Sequence, residues 1–397
     1  MDLLLHSASH LSTARYIHRR HLHLTSLTPR RKGFFPVRSS LPFQTHEAKY
    51  HRELEAAIKV VERACRLCVD VKRSLFSSEG RIVEKNDQTP VTIADFGVQA
   101  LVSLELGKVF PSIPLVAEED SSFVRSNNLV DSVQLTEGGR ILLFLEQTQP
   151  HIGLQCSGVL DPIDGTKGFV KGNEALYVVG LALVVEGEIV LGVMGCPNWT
   201  EDNSYKSTTK IENMLSGPGT LMVAHVGCGT WTKELPDMLG RSTKVLDGWT
   251  RCIVDGHNLV PEARFCISDS QTWESLPLSD LFDATSEADS VGDKEILLLP
   301  TCCGSLCKYL MVASGRASVF ILRSTTQRTI KAWDHAVGII CVHEAGGKVT
   351  DWKGNQLDFA ADQVERRIIF PSGGVLVTNG KLHNQIVEMI ASSSAVG

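Results

Sequence analysis

In residues 48–75, AKYHRELEAAIKVVERACRLCVDVKRSL, alanine, isoleucine, valine and leucine recur at helical spacing between charged positions, which predicts a long amphipathic helix. The stretch that follows, VEKNDQTPVTIADFGVQALVSLELGKVF, has a turn at residues 87–90 and the same periodicity beyond it, so a second helix is expected from residues 92–95 to Val109. Pro111 and Pro114 end it. SIPLVAEED then reads as a short buried strand stopping on Glu118, Glu119 and Asp120.

Residues 121–155 are mixed, with a helical pattern near 139–145. GVL reads as strand and runs into DPIDGTKGF. Two β-branched apolar runs in ALYVVGLALVVEGEIVLGVMGC, joined at Glu186-Gly187, predict a hairpin. From Pro197 to about Arg264 the pattern weakens, and a hinge is expected there. Beyond it ARFCIS, ASVFILR and GGVLVTNG alternate with helical GSLCKYLMVASG, WDHAVGIICVHEAGG and KLHNQIVEMIASSS, the pattern of an α/β or α+β chain. The expected division is a leader over 1–46, an α+β half over 47–230 and an α/β half over 231–397.

Composition narrows the class. The 397 residues are 43% apolar and 21% charged, enough for a large core. The longest uncharged apolar run, Ala175 to Val185, is far short of the ~20 residues of a membrane span, so no membrane helix is expected. The first 46 residues hold seven of the 39 basic side chains and one of the 45 acidic ones, with many Ser, Thr and His. That is the composition of an organelle transit peptide, and the basic amphipathic STARYIHRRHLHL favours a mitochondrion over the plastid that PRRKGFFPVRSSLP would also suit.

The remaining body carries 32 basic against 44 acidic residues, a net of −12, the wrong sign for a nucleic-acid binder. The eleven cysteines are scattered, without a disulfide framework or paired zinc spacing, so free thiols are expected, with Cys65 and Cys68 buried in the first helix.

Four acidic elements lie where regular structure stops: Asp95 at a helix start, Glu118 after PLVA, Asp161 and Asp164 after GVL, and Asp334 at the start of a helical stretch. Singly, each has a plain structural role open to it, as a helix cap or a turn. Together they suggest carboxylates converging on cations, since magnesium binds through a few carboxylates, waters and substrate phosphate. In DPIDGT, Pro162 would stiffen the turn, the Ile163 carbonyl could face an ion, and Gly165-Thr166 would open a helix toward an anion.

DPIDGT, with EED upstream and WDHA downstream, resembles the lithium-sensitive, magnesium-dependent phosphatases related to inositol monophosphatase. GTKGF, DQTPVTIAD and GSLCKY resemble, within that superfamily, the 3′(2′),5′-bisphosphate nucleotidases, which act on 3′-phosphoadenosine 5′-phosphate. The resemblance covers about residues 50–390 and implies a layered α-β-α-β-α sandwich with its metal site between two halves.

It further implies two to three Mg²⁺ ions on Glu118, Asp161, the Ile163 carbonyl, Asp164 and Asp334, with Asp95 and Thr166 orienting and deprotonating the attacking water. Thr166, Ser305, Lys308, Arg323 and Asp334 would contact the substrate, a small nucleotide bisphosphate. Neither a nucleic-acid nor a membrane partner is expected, and the chain is expected to be a monomer. Two other readings stay open: an inositol-phosphate phosphatase, and a catalytically weak sensor that binds the nucleotide without turnover.

Overall fold

The computed structural model describes residues 41–43, 48–77, 82–84, 90–120, 156–171, 175–199, 219–236, 248–268, 271–285, 295–302, 304–324, 329–362 and 364–394. The expected leader, apart from residues 41–43, and the helical pattern near 139–145 lie outside them.

The chain order begins with helix α1 (His51–Ser77), strands β1 (Ile82–Glu84) and β2 (Pro90–Thr92), helix α2 (Ile93–Val109) and strand β3 (Leu115–Ala117). Strand β4 (Cys156–Asp164), the short helix α3 (Thr166–Lys171), and strands β5 (Val178–Val185), β6 (Glu188–Cys196), β7 (Thr220–His225), β8 (Gly229–Glu234) and β9 (Thr250–Cys252) follow. After them come β10 (Arg264–Ile267), β11 (Asp283–Thr285), β12 (Glu295–Pro300), helix α4 (Leu306–Ala313), β13 (Val319–Arg323) and β14 (Ile330–Lys331). The last elements are helix α5 (Ala336–Glu344), β15 (Lys348–Asp351), β16 (Ile368–Ile369), β17 (Gly374–Thr378) and helix α6 (His383–Ser394).

Two large sheets organise these elements. One has seven strands in the order β3-β4-β5-β6-β7-β8-β9, antiparallel except for the parallel β3/β4 pair. The other has six in the order β11-β12-β10-β13-β17-β15, parallel from β11 to β13 and antiparallel beyond.

Alternation along β5 explains the stacking. Val179, Leu181 and Leu183 face one way, into a core shared with Leu54, Ile58 and Val61 of α1 and Val98 and Leu101 of α2. Val178, Ala182 and Val184 face the other way, into a core shared with Leu306 and Leu310 of α4, Val337 and Ile340 of α5, and Phe320 and Val377 of the second sheet. The outer face of that sheet, Phe265, Ile296, Val319 and Leu376, is covered by Trp273 and by Leu382, Ile386 and Ile390 around α6. The layers are therefore α-β-α-β-α.

The β5–β6 hairpin turns on Glu186 and Gly187, both with positive φ (53° and 87°), the two-residue geometry that matches strand twist. The weak region holds more structure than its pattern suggests: TLMVAH and GTWTKE form β7 and β8, and β9 continues the first sheet to Cys252. The boundary expected at residue 230 thus falls within β8, and the change of sheet comes between Cys252 and Arg264. Among the described cysteines nine are free, Cys65 and Cys68 buried among them, whereas Cys302 is disulfide-bonded, a departure from the free thiols expected.

On the α4/α5 side of the first sheet, Gly192 lets α5 approach the strand: a Cβ there would lie 2.8 Å from Ile340 Cγ2 and 2.9 Å from Val337 Cγ2. Gly192→Val should overpack this layer and destabilise the protein by about 1–3 kcal/mol, seen as a lower urea midpoint with an unchanged slope.

Candidate active site

Asp161 and Asp164 both belong to β4, which runs through DPID rather than ending before it. In an unbroken strand, residues three apart point to opposite faces. Here the pairing steps from Asp161↔Gly180 to Asp164↔Val178, three residues on β4 against two on β5. That one-residue bulge, at a proline with no N–H to lose, restores both carboxylates to one side. The resulting cluster takes in Asp334 from the turn before α5: one oxygen from each of Asp161, Asp164 and Asp334 lies within 4.8 Å of the others.

The electrostatics follow from burial. Asp161 is 1% exposed, and desolvation, then the charges of Glu118, Asp164, Asp334 and Asp95, hold its carboxyl well above the ordinary range. Its Oδ1 is buried with no hydrogen-bond partner among the described residues. Asp164 is pushed up to about 6 by desolvation, opposed by the backbone amides of Ser305 and Leu306 and by the charge of Lys308.

Those amides open α4 and donate to the two Asp164 oxygens, Ser305 N to Oδ1 at 2.9 Å and Leu306 N to Oδ2 at 2.6 Å. Gly304, at φ +76°, stands so close to this carboxylate that any Cβ would collide with it. Lys308 is 1% exposed, with its ammonium bonded to the Gly304 carbonyl.

The Thr166 hydroxyl starts α3 within bonding reach of the Ile163 carbonyl (3.0 Å) and of Asp95 Oδ1 (3.2 Å). The other Asp95 oxygen accepts from Thr92 N (2.8 Å) and Thr92 Oγ1 (2.7 Å). Asp95 is thus both the N3 residue of a capping box on α2 and the acceptor facing Thr166. The cap that the sequence left open to it is therefore present, and its second oxygen still faces Thr166.

Glu118 follows β3 and is half-buried, near enough for its charge to raise both Asp161 and Asp164. Its neighbour Glu119 is held by Gln99, one helical turn beyond Asp95, through Gln99 Nε2 to Glu119 O (2.7 Å) and Glu119 N to Gln99 Oε1 (2.9 Å). The structure therefore gathers Asp95, Glu118, Asp161, Ile163, Asp164, Thr166 and Asp334. Ser305 and Lys308 meet the group by way of Asp164. Arg323 is exposed at the end of β13 and donates to the Ser275 carbonyl at 3.2 Å.

Thr92, Gln99 and Gly304 escaped the sequence reading. Thr-x-x-Asp before an apolar run was a visible signal for the first; the other two act through backbone contacts with no such signature. Hard oxygen donors, mutual repulsion and an orphaned buried oxygen fit a divalent cation, of the kind that carboxylate sets select.

The pattern of the inositol monophosphatase family matches residues 51–395. A protein of Arabidopsis thaliana named "Putative 3'(2'),5'-bisphosphate nucleotidase, mitochondrial" is 63% identical over 385 residues, 92% of this chain and 94% of that one. A "3'(2'),5'-bisphosphate nucleotidase" of Oryza sativa is 34% identical over 366 residues, covering 86% and 94%. Among solved structures, the Thermotoga maritima IMPase superposes with a TM-score of 0.54 at 20% identity, over 87% of this chain and 98% of that one, a likeness of fold.

The sign of the pH dependence follows from the raised carboxyls. Unfolded aspartates titrate near ~3.9, so between there and its folded value Asp161 binds more proton in the folded, chelated protein, and stability falls as pH rises. Asp161→Asn removes that loss. Under chelator, its melting temperature should gain on wild type as pH rises above the unfolded aspartate value of ~3.9, and added magnesium should reverse the order at neutral pH. A constant difference across the range would contradict the assignment.

Proposed function

The chain belongs to the inositol monophosphatase family, and from that membership we propose that it hydrolyses the 3′(2′)-phosphate of adenosine 3′(2′),5′-bisphosphate, giving AMP and inorganic phosphate with magnesium as cofactor. It is a phosphatase, a phosphoric monoester hydrolase. The observation that carries the mechanism is the orphaned, buried Asp161 oxygen in a carboxylate cluster beside the Thr166–Asp95 pair. The nucleotide substrate is supported by the names of the relatives and by the GTKGF and GSLCKY stretches.

Phosphate monoesters hydrolyse so slowly that rate gains reach ~10²¹, while one general base supplies only about 10²–10⁴. Two to three magnesium ions held by Glu118, Asp161, the Ile163 carbonyl, Asp164 and Asp334 would supply the rest, by neutralising phosphoryl charge and acidifying water. The chain's own part is to place the nucleophile and take its proton. Thr166 Oγ1 accepts a hydrogen bond from the attacking water and passes a proton on to Asp95 Oδ1, whose carboxylate Thr92 holds from behind. As the new P–O bond forms, the bond to the ribose oxygen breaks in line, and that oxygen leaves with a proton from solvent.

The basic leader and the mitochondrial name of the Arabidopsis relative support a mitochondrial destination. The body's net charge of −12 supports a small-molecule substrate over nucleic acid.

Phosphate release from residues 47–397 should be magnesium-dependent and fastest with 3′-phosphoadenosine 5′-phosphate in a panel that includes its sulfated precursor and inositol 1-phosphate; preference for the inositol ester would move the substrate assignment. Thr166→Val should lower kcat by about 10²–10⁴ with the fold intact, and Asp161→Asn should lower it further. Lithium should inhibit at millimolar magnesium by taking a cation position; a titration without effect would count against that expectation.

A further inference from the structure

The carboxylates come from segments far apart in sequence, and something must hold those segments in register. Asp161 and Asp164 share a strand, but Glu118 lies on the loop after β3 and Asp334 in the turn before α5. Gln99 fixes the Glu119 backbone from the α2 side.

Arg367, just before β16, makes a separate contact with the same loop. Its Nη2 donates to the Glu118 carbonyl at 3.0 Å. Its guanidinium carbon lies 5.0 Å from the centre of the Trp333 ring, immediately before Asp334, and Trp333 is 4% exposed. Its own carbonyl accepts Ala332 N at 2.8 Å, and the β14/β16 ribbon pairs Lys331 with Ile368.

One side chain therefore touches the backbone of the Glu118 segment and the side chain next to Asp334. A planar guanidinium can stack and donate in its plane at once; a lysine ammonium has no such plane.

We infer that Arg367 is a positioning residue for the cation cluster, setting the spacing between Glu118 and Asp334 and hence the affinity of the site for divalent metal. This rests on the reading of the cluster as a cation site. Groups that orient metal ligands typically change metal affinity about 10–100-fold when removed. A purely structural staple would instead lower stability and leave affinity unchanged.

The test is Mn²⁺ binding to the substrate-free protein, followed by electron paramagnetic resonance, for wild type, Arg367→Met, Arg367→Lys and Asp161→Asn. Melting temperatures are taken under chelator in parallel. Arg367→Met, which keeps an apolar stem on Trp333, should weaken Mn²⁺ binding about tenfold or more, and Arg367→Lys should fall between it and wild type. At saturating magnesium, kcat of Arg367→Met should return close to wild type while the half-saturating concentration stays raised.

A weakening of at least about threefold supports the inference, and a smaller one or a tightening overturns it, whatever the melting temperature does. Should Arg367→Met fail to fold, Arg367→Lys is judged by the same criterion. Wild-type Mn²⁺ affinity in Asp161→Asn would overturn the cation-site reading and this inference with it; weakened binding there beside unchanged binding in the Arg367 variants would overturn this inference alone.

Discussion

Mutual repulsion among carboxylates withdrawn from water is the constraint that the rest of the site answers. Oxygens of Asp161, Asp164 and Asp334 meet within 4.8 Å, and two unit charges at that separation repel by about 3.5 kcal/mol at an effective dielectric near ~20. Burial adds a desolvation penalty for Asp161, at 1% exposure, and Asp164, at 5%. A fold of ordinary marginal stability keeps such a cluster by holding protons on it or by binding positive charge.

Between the two aspartates of β4, the protein's own positive groups meet Asp164. Asp164 receives two amides from the start of α4 and lies close to the buried Lys308, itself tied to the Gly304 carbonyl. Asp161 has no such relief, and its Oδ1 is left over. The asymmetry is coherent. Asp164 joins the first sheet to α4 and so to the second sheet, and pinning it sets the distance between layers. Asp161, one bulge away, keeps a buried oxygen without a hydrogen-bond partner among the described residues.

Much of this was legible in the sequence wherever a periodic pattern ran long or a turn had strict chemistry. Helices α1 and α2, the Glu186-Gly187 hairpin and the three C-terminal helices follow from apolar spacing, and DPIDGT, EED and WDHA marked the carboxylates by their position at element ends. The weak signals were different in kind. β7 and β8 are flanked by polar and glycine-rich stretches; β7 pairs with β6 across a long intervening segment and β8 then adds to β7, so their stability rests on a sheet edge that no local pattern reports. The DPID bulge is a matter of register between strands, which the same residues read as a turn. Gln99 and Arg367 act on backbone carbonyls 20 and 249 residues away, a relation sequence spacing does not encode.

The inward use of α4 also bears on how phosphate charge is met. A helix N-terminus near an active site is an obvious anion receptor, yet here the Ser305 and Leu306 amides go to Asp164, and Lys308 is buried behind them. The body carries a net charge of −12, so it offers no general positive field to a nucleotide bisphosphate either. On the reading proposed above, neutralising the transferred phosphoryl group falls to the cations that the carboxylates hold. The same repulsion that makes the cluster costly on its own then draws in the charge the reaction needs, so stability and catalysis place the same demand on the site.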